Sequence, residues 1–379
     1  MNGKANGHLP TKQRAAQFDP KDKSVRINEI PVPDIKPDEI LVKVRAASLC
    51  HSDLMLFEPN EAGLTLGEGG PFTMGHEACG TVVKVGADVK GFKEGEKLGW
   101  LPIVDCCFDC EECQTHNLYC ERGESKVQGM TVDGYFQEYC AIKWRNAVHI
   151  PEDMDLDVCA PLFCAGCTAF NAVTDTLSEL PGDPSLTWVA VVGCGGLGHL
   201  AIKYLKAYGY RIIGIDLSPD ALAEAKSSGA DHAFNPKTDS DYIQQVREIT
   251  GKGCHAAINV TNSVPAYSST VDLLRMNGVL MVTGIPQKPL SFSAMDLSMT
   301  RIRVRGSNNG TTPRLEKCVQ FSHEHNITPH VTQFKLDEFE DVSKESTRQL
   351  LEAYTDSQVQ MLKLMESGKH KGRMGILFD

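Results

Sequence analysis

The hydrophobic and polar positions of the chain follow two rhythms, and the first extends to about residue 150. Short β-type segments, such as residues 40–44 and 80–85, alternate there with turn residues. Such segments predict strands. Glycine and proline are frequent throughout this part, which is typical of an irregular, strand-rich domain.

The second rhythm belongs to the middle of the chain. Residues 188–192 are continuously apolar, as expected of a strand that is buried on both faces of a parallel sheet. A glycine turn, a helical pattern over 197–208 and a second strand at 210–215 follow. Further strands are predicted at 256–260 and 278–282. This alternation predicts an α/β fold with a doubly wound parallel sheet of the Rossmann type.

The end of the chain returns to mixed elements. A long helix is predicted over 345–369 and a closing strand over 373–378. The simplest layout is one domain built from both ends of the chain, with a nucleotide-binding domain inserted between them. The predicted parts are a flexible tail at 1–14, an outer domain at 15–165 and 306–379, and an inserted domain at 166–305.

Composition and charge narrow the class of protein. The 379 residues are 41% hydrophobic and 23% charged, as in ordinary globular proteins, and they suffice for two domains. The tail lacks the apolar core of a signal peptide, and no stretch approaches the roughly 20 apolar residues of a membrane span. We therefore expect a cytoplasmic protein without a membrane partner.

The formal net charge of −11 and the absence of a long basic run argue against a nucleic-acid partner. Arg301, Arg303 and Arg305 alternate like one face of a strand. We interpret them as a solvated or ion-paired face, and an anion site is the less favoured alternative.

A glycine-rich motif opens the predicted inserted domain. It has the form G-x-G-x-x-G and consists of Gly193, Cys194, Gly195, Gly196, Leu197 and Gly198. The motif follows a buried strand and opens a helix, which is the context of a dinucleotide site. Gly193 permits the tight turn, Gly195 lets the backbone approach a diphosphate, and Gly198 lets helix and strand pack closely.

Asp216 lies eighteen positions after Gly198, at the end of the second predicted strand. An acid at this spacing hydrogen-bonds the ribose hydroxyls, and its carboxylate repels a 2′-phosphate. No arginine follows it in residues 217–219. NAD(H) is therefore the expected cofactor; the alternative is a surface turn acid without a ligand.

Fourteen cysteines without an export signal indicate metal ligands rather than disulfides. The sequence contains Cys107, Cys110, Cys113 and Cys120, with spacings of two, two and six residues. Four thiolates close a tetrahedron around Zn²⁺ and leave no open position, which predicts a structural zinc site. Free buried cysteines are the alternative, and the adjacent Cys106 could compete as a ligand.

Three further motifs are scattered along the chain. Residues 50–53 read CHSD, residues 75–80 read GHEACG and are continued by Gly86 and Val89, and residues 160–166 read APLFCAG. These three motifs, the four-cysteine segment and the glycine-rich motif follow one another along the chain in the same order as in the zinc-dependent medium-chain alcohol dehydrogenases, and together they resemble that family. The resemblance covers nearly the whole chain and is closest to the microbial and plant branches, in which His follows the first ligand.

This resemblance implies a strand-rich, GroES-like catalytic domain and a second, catalytic zinc. By similarity, Cys50, His76 and Cys164 bind that zinc, and substrate or water takes the fourth position. The ion acts as a Lewis acid while hydride moves between the substrate and the nicotinamide. The expected substrate is a small alcohol, aldehyde or ketone, and the expected assembly is a homodimer or homotetramer.

Five more residues receive roles by the same resemblance. Ser52 passes the alcohol proton onward through the cofactor ribose. Asp53 orients the zinc ligands, and Glu77 lies beside the metal as a transient ligand; for both, an ordinary buried hydrogen-bonded acid is the alternative. His51 lies near the cofactor diphosphate, and Thr168 packs near the nicotinamide.

The chain departs from the family pattern at three places. Met55 stands where many members carry a relay histidine, so the proton must stop at Ser52 and the ribose or pass through water or His51. Six residues separate the last structural cysteine from its predecessor, instead of the usual seven. Residues 343–358 form an extra segment to which we assign no function.

Only a few residues of the sequence bear on the choice of substrate. Phe57, Leu64, Leu66 and Trp100 flank the zinc motifs, and they line an apolar substrate pocket or belong to the core. Two other functions compete with an alcohol dehydrogenase. One is a reductase of conjugated enal double bonds with the same fold, which the loss of a histidine at Met55 favours slightly. The other is a non-catalytic, zinc-stabilised NAD-binding sensor.

Overall fold

A computed structural model describes residues 9–57, 70–123, 125–180, 182–339 and 372–379. The predicted helix at 345–369, the extra segment at 343–358 and the side chains of Leu64 and Leu66 lie outside these residues. Among the described helices, none is by itself long and apolar enough to cross a membrane. One pair, Leu156–Phe163 and Ala165–Ser178, passes that test together but is bent by 54°.

Strands from both ends of the chain form the outer part of the molecule. They are β1 (Lys12–Asp19), β2 (Ser24–Pro31), β3 (Glu39–Leu49), β4 (Phe72–Thr73), β5 (Ala78–Val85), β6 (Lys97–Trp100), β7 (Ile103–Val104), β8 (Lys126–Val127), β9 (Tyr139–Lys143) and β10 (Ala147–His149). In the middle part follow β11 (Trp188–Val192), β12 (Arg211–Ile215), β13 (His232–Phe234), β14 (Cys254–Asn259), β15 (Leu274–Val282) and β16 (Ile302–Gly306). The last two are β17 (Val331–Lys335) and β18 (Arg373–Leu377).

Helices occur in both parts of the chain, and most of them pack against the middle strands. They are α1 (Glu111–Thr115), α2 (Leu156–Cys159), α3 (Ala165–Ser178), α4 (Gly198–Ala207), α5 (Pro219–Ser227), α6 (Tyr242–Thr250), α7 (Val264–Leu273), α8 (Ala294–Ser298) and α9 (Thr312–Glu324). Short 3-10 turns include His51–Leu56, Asn117–Tyr119 and Ala160–Phe163.

The middle strands form one parallel sheet in the order β13-β12-β11-β14-β15-β16. The chain therefore runs outward in one direction from β11 and then in the other from β14, which makes the sheet doubly wound and confirms the predicted fold. All five residues of β11 are buried, as the continuous apolar pattern predicts. The carboxyl ends of β11 and β14 meet at the switch point, where such sheets bind ligands.

The outer part contains a seven-stranded sheet in the order β10-β6-β5-β3-β18-β17, with β9 also paired to β3. Strand β18 from the chain end pairs antiparallel with β3, so that Met374 lies opposite Leu49. This pairing places the start of β18 beside the end of β3. The predicted domain limits stay predictions, because strand pairing alone does not set a domain boundary.

Arg303 and Arg305 lie on β16, at the edge of the parallel sheet, and Arg301 directly precedes it. Arg303 and Arg305 both pair with Glu179, at 2.7 and 2.9 Å. Arg301 donates to the carbonyl of Arg275 at 3.4 Å. The favoured interpretation of an ion-paired strand face is confirmed for the two residues that reach Glu179.

Candidate active site

Four side chains from three separate segments converge in the interior. One ligand atom each of Cys50, His76, Glu77 and Cys164 lies within 4.8 Å of the others. Cys50 follows β3, His76 and Glu77 precede β5, and Cys164 stands between a 3-10 turn and α3. Strands β3 and β5 are paired, with Ala47 opposite Ala78, so their adjacent ends hold two of the segments together. The structure thus brings all four predicted residues into one cluster.

Asp53 fixes the orientation of two members of this cluster. It is fully buried; its Oδ1 lies 3.0 Å from Nδ1 of His76, and its Oδ2 accepts from the N–H of Cys50 at 2.8 Å. Nε2 of His76 is buried and has no hydrogen-bond partner within the described chain. A buried histidine held by a carboxylate with its second nitrogen unengaged is the arrangement of a metal ligand.

The thiols of the cluster influence each other. A hydrogen bond from Cys164 and the positive charge of Arg373 keep the pKa of the Cys50 thiol well below its usual value, although burial opposes this. Burial and the same hydrogen bond raise the pKa of Cys164. The two thiols therefore shift in opposite directions, and Cys50 is the one that gives up its proton more readily, which suits a cation-binding site.

Arg373, the first residue of β18, is part of the site although sequence reasoning did not single it out. It is 3% exposed, and its guanidinium donates to Oε2 of Glu77, which also accepts from the hydroxyl of Ser48. Oε1 of Glu77 is buried without a partner among the described residues. The sequence contains one signal that could have revealed Arg373: a lone arginine opens a strand that is otherwise apolar or glycine.

The remaining predicted catalytic residues lie on the 3-10 turn after Cys50. The Ser52 hydroxyl is 3.8 Å from the Cys50 sulfur and half-buried, so it borders the cluster. Met55 is half-buried on the same turn. His51 is exposed, and its Nε2 lies 3.0 Å from the side-chain amide of Asn262, beyond the carboxyl end of β14. The structure therefore places Ser52 at the cluster and His51 at the switch point of the parallel sheet.

Thr168 lies in the first turn of α3, directly after Cys164. Its N–H donates to the carbonyl of Cys164 at 2.9 Å, and its side chain is buried. Helix α3 thus begins beside the cluster, and it packs against α4, the helix that follows the glycine turn.

The glycine motif forms the turn from β11 to α4. Gly193 has a φ of +89°, and a Cβ on Gly198 would lie 1.8 Å from the Gly193 carbonyl oxygen, so both positions require glycine. A Cβ on Gly196 would meet the Arg373 side chain at 2.6 Å. In contrast, no described atom lies within 4 Å of a Cβ on Gly195. The turn is therefore packed on one side and open beside Gly195 and the start of α4.

Asp216 reaches back to this turn from the end of β12. Its Oδ2 accepts from the N–H of Cys194 at 2.7 Å, and its Oδ1 accepts from the N–H of Ser218 at 2.8 Å. The carboxylate thus braces the glycine turn. Asp216 is half-buried and both of its oxygens are engaged by backbone N–H groups, so its contact with a ribose stays a prediction.

The four-cysteine segment forms a separate lobe. The sulfurs of Cys107, Cys110, Cys113 and Cys120 lie within 4.8 Å of one another. Backbone N–H groups of Cys110 and Cys113 donate to the sulfurs of Cys107 and Cys110, at 3.3 and 3.4 Å. The 3-10 turn Asn117–Tyr119 closes the shortened spacing before Cys120. Cys107 rather than Cys106 belongs to the set that the structure brings together.

The predicted pocket walls are core residues where the structure describes them. Trp100 is fully buried and packs edge-on against Tyr135 at 5.4 Å. Phe57 is 7% exposed and packs edge-on against Phe18 at 5.1 Å. Apolar character near a metal motif does not separate core from pocket, and the structure buries both of these residues, which favours the core alternative. A groove of about 1140 Å³ beside the four-cysteine lobe does not include the Cys50 cluster.

Known protein families match both parts of the chain. The family model described as the alcohol dehydrogenase GroES-like domain matches residues 36–152, and the model of the zinc-binding dehydrogenases matches residues 196–324. The first match contains two segments of the Cys50 cluster and the four-cysteine lobe. The second begins within the glycine turn.

Individual relatives match over most of their length. An alcohol dehydrogenase of Geobacillus stearothermophilus is 32% identical over 333 residues, which cover 87% of this chain and 94% of that protein. An alcohol dehydrogenase of Schizosaccharomyces pombe is 32% identical over 310 residues, covering 80% and 85%. The solved alcohol dehydrogenase of Aeropyrum pernix has a TM-score of 0.78 at 27% identity and covers 96% of this chain and 100% of that chain.

Proposed function

The chain belongs to the zinc-dependent medium-chain alcohol dehydrogenase family and is an oxidoreductase of that family, and we propose that it interconverts an alcohol and its aldehyde or ketone with NAD(H). One observation carries the proposal. The side chains of Cys50, His76 and Cys164 converge, Nε2 of His76 has no hydrogen-bond partner among the described residues, and the Ser52 hydroxyl borders the same cluster.

The donor set fits a catalytic zinc. Two sulfurs and one imidazole nitrogen form a known three-ligand set that leaves one position for substrate. Zinc held by Cys50, His76 and Cys164 would supply a Lewis acid that polarises the substrate oxygen. Glu77 lies within reach of the same point and is itself held by Arg373. The four-cysteine lobe fits a second zinc of structural character, because four sulfurs leave no position open.

The glycine turn fits the diphosphate of a dinucleotide. Its open side at Gly195 faces the N-terminus of the ten-residue helix α4, where backbone N–H groups and the helix dipole favour an anion. NAD(H) bound there would carry the hydride. Asp216 supports NAD(H) over NADP(H), because a 2′-phosphate beside its carboxylate would be repelled.

Ser52 is the proposed first acceptor of the alcohol proton. Its hydroxyl both donates and accepts, so it can take a proton from a substrate oxygen while releasing its own. The thioether of Met55 cannot continue such a chain. The proton therefore leaves Ser52 through the cofactor ribose, through water, or through His51 on the same turn.

The test is turnover of zinc-loaded protein with NADH on aldehydes from acetaldehyde to cinnamaldehyde. We expect alcohol formation with NADH and much less with NADPH. Cys164→Ala should abolish it, whereas the matched variant Cys140→Ala, a buried cysteine outside both clusters, should retain it. Saturated aldehyde from cinnamaldehyde would support the double-bond reductase instead. Bound NADH and zinc without any turnover would support the sensor.

We further propose that the chain assembles with copies of itself in the cytoplasm. Strand β16 ends the parallel sheet, and no described strand covers its outer side. Near it, Met276, Ile285, Met295 and Met299 are 65–70% exposed. An open sheet edge with exposed apolar side chains favours pairing with a second copy. Light scattering should give two or four times the chain mass; a monomer at micromolar concentration would contradict this.

A further inference from the structure

A fully buried histidine lies behind the glycine turn, outside the residues that the proposed reaction uses. His199 is the second residue of α4 and is 0% exposed. Its Nδ1 lies 3.1 Å from the carbonyl oxygen of Gly195, and its Nε2 lies 3.2 Å from the backbone nitrogen of His330. A carbonyl only accepts and an N–H only donates, so Nδ1 carries the hydrogen and Nε2 the lone pair. The two contacts therefore require a neutral ring in one tautomer.

The contact with Gly195 sets the direction of a peptide group in the turn. The Gly195 carbonyl accepts from both the backbone N–H and the ring of His199, at 3.0 and 3.1 Å, so it points along α4. In a planar trans peptide the N–H points opposite to the carbonyl. The N–H of Gly196 must therefore point away from the helix, toward the open side of the turn. The hydrogen bond from the His199 ring to the Gly195 carbonyl therefore fixes the direction of the Gly196 N–H.

The contact with His330 links His199 to Arg373 through the backbone of His330. The His330 carbonyl accepts from the N–H of Arg373 at 2.8 Å, so the same peptide segment is held by His199 on one side and by β18 on the other. The His330 ring is fixed by Glu224, with Nδ1 to Oε2 at 3.0 Å. The Arg373 side chain then returns to the turn beside Gly196 and donates to Glu77 in the metal cluster.

We propose that His199 is a positioning residue for the dinucleotide diphosphate: it fixes the Gly195–Gly196 peptide directly and Arg373 through His330. The proposal rests on the proposed function for the identity of the ligand. His199 does not touch the reacting atoms, and both of its nitrogens are engaged, so it transfers no proton. Burial lowers its pKa to about 4, which agrees with a neutral ring at physiological pH.

The test compares three ligands in purified, zinc-loaded protein. NADH and ADP-ribose contain the diphosphate, whereas adenosine contains only the base and ribose. His199→Leu keeps an apolar side chain in the site and removes both hydrogen bonds. We expect it to weaken the binding of NADH and ADP-ribose about tenfold, which is the effect of losing one or two hydrogen-bonded positions. The affinity for adenosine should stay within about twofold of the wild-type value. Zinc content should not change.

Two further variants separate positioning from a general structural role. The Nδ2 of Asn occupies the place of the His Nδ1, so His199→Asn keeps the donor to Gly195 and should recover NADH affinity to within about threefold of wild type. His255→Leu is the matched control. His255 also accepts from a backbone N–H, that of Trp188 at 3.1 Å, but at the start of β11, the end of the strand away from the glycine turn. It should leave NADH binding unchanged.

The outcomes distinguish the two proposals. Wild-type protein that binds zinc but neither NADH nor ADP-ribose would refute the proposed function, and the role of His199 with it. Wild-type binding with unchanged NADH affinity in His199→Leu would refute the role of His199 alone. Equal weakening of adenosine and NADH would also refute it, because a diphosphate-specific effect would then be absent. If His199→Leu fails to fold, His199→Gln, which keeps the acceptor and loses the donor, should show the same selective loss.

Discussion

At the scale of single residues, hydrogen bonds decide which atoms of the site remain available. Asp53 engages one nitrogen of His76 and the backbone of Cys50, and it thereby leaves Nε2 of His76 unpartnered toward the cluster. Ser48 and Arg373 together hold one oxygen of Glu77 and leave the other unengaged. Neighbouring polar groups thus orient Cys50, His76 and Glu77 in the way that second-layer hydrogen bonds orient metal ligands.

Replacing Asp53 should weaken the three-ligand zinc site selectively. Asp53→Asn keeps the volume, but its amide cannot accept from both His76 and the Cys50 backbone. Loss of such a carboxylate behind a metal ligand typically costs about 10–100-fold in metal affinity. We expect a chelator to remove one zinc more readily while the four-cysteine zinc stays bound, and metal analysis measures both in one sample. Equal retention of both zincs would contradict this role.

The buried His199 should make stability depend on pH. Burial lowers its pKa from an unfolded value of 6.5 to about 4, so the unfolded chain binds a proton at higher pH than the folded protein does. Its contribution is present above pH 6.5 and is lost as pH falls toward 4.

In His199→Leu this dependence is absent, and a comparison with wild type cancels the other titrating groups. Between pH 7 and pH 5, the unfolding free energy of wild type should fall by about 2 kcal/mol relative to that of His199→Leu. Urea denaturation at both pH values measures it. A difference independent of pH would show that His199 is not held neutral.

At the scale of elements, close packing fixes where Cys164 lies. Gly99 on β6 faces the ring of Phe163, the last residue of the 3-10 turn before Cys164, and a Cβ there would lie 1.9 Å from two ring carbons. The ring is fully buried and cannot move without displacing its neighbours. The absence of a side chain at Gly99 thus determines the position of the third predicted ligand.

Gly99→Ala should therefore push Phe163 and Cys164 away from Cys50. Overpacking of this kind destabilises by about 1–3 kcal/mol. We expect a lower melting temperature and weaker zinc binding at the three-ligand site. Gly306→Ala on β16 is the matched control, because a Cβ there would lie at an ordinary distance of 3.9 Å from the carbonyl oxygen of Val282. Equal effects of the two variants would argue against this packing role.

Local pattern was enough to predict the middle elements but not the outer sheet. Strand β11 and helix α4 have strong local signals, and the structure gives them within a residue or two of the expected ends. The pairing of β18 with β3 joins segments more than 300 residues apart, and no local pattern encodes such a register. For the same reason Arg373 was missed, whereas Cys50 and His76 lie in recognisable motifs. For Trp100 and Phe57 the sequence left core and pocket open, because hydrophobicity does not distinguish the two, and the structure buries both.

At the scale of the whole molecule, the two sheets place the two predicted centres side by side. Strand β3 of the seven-stranded sheet ends directly before Cys50, and β11 of the parallel sheet ends at the glycine turn. The Arg373 side chain lies beside Gly196 of the glycine turn and donates to Glu77 of the Cys50 cluster. The His51 ring lies 3.0 Å from the side-chain amide of Asn262, beyond the end of β14. A substrate oxygen at the Cys50 cluster and a dinucleotide on the glycine turn would therefore share one cleft, as hydride transfer requires.

The most direct test of this account locates the transferred hydride. Zinc-loaded protein is incubated with a conjugated enal, such as cinnamaldehyde, and NADH deuterated at C4, and NMR locates the deuterium in the product. The account predicts deuterium on the carbinol carbon of an unsaturated alcohol. Deuterium on the β-carbon of a saturated aldehyde would contradict it and identify a double-bond reductase. No transfer to any enal or saturated aldehyde, with zinc and NADH bound, would contradict the assignment of a dehydrogenase altogether.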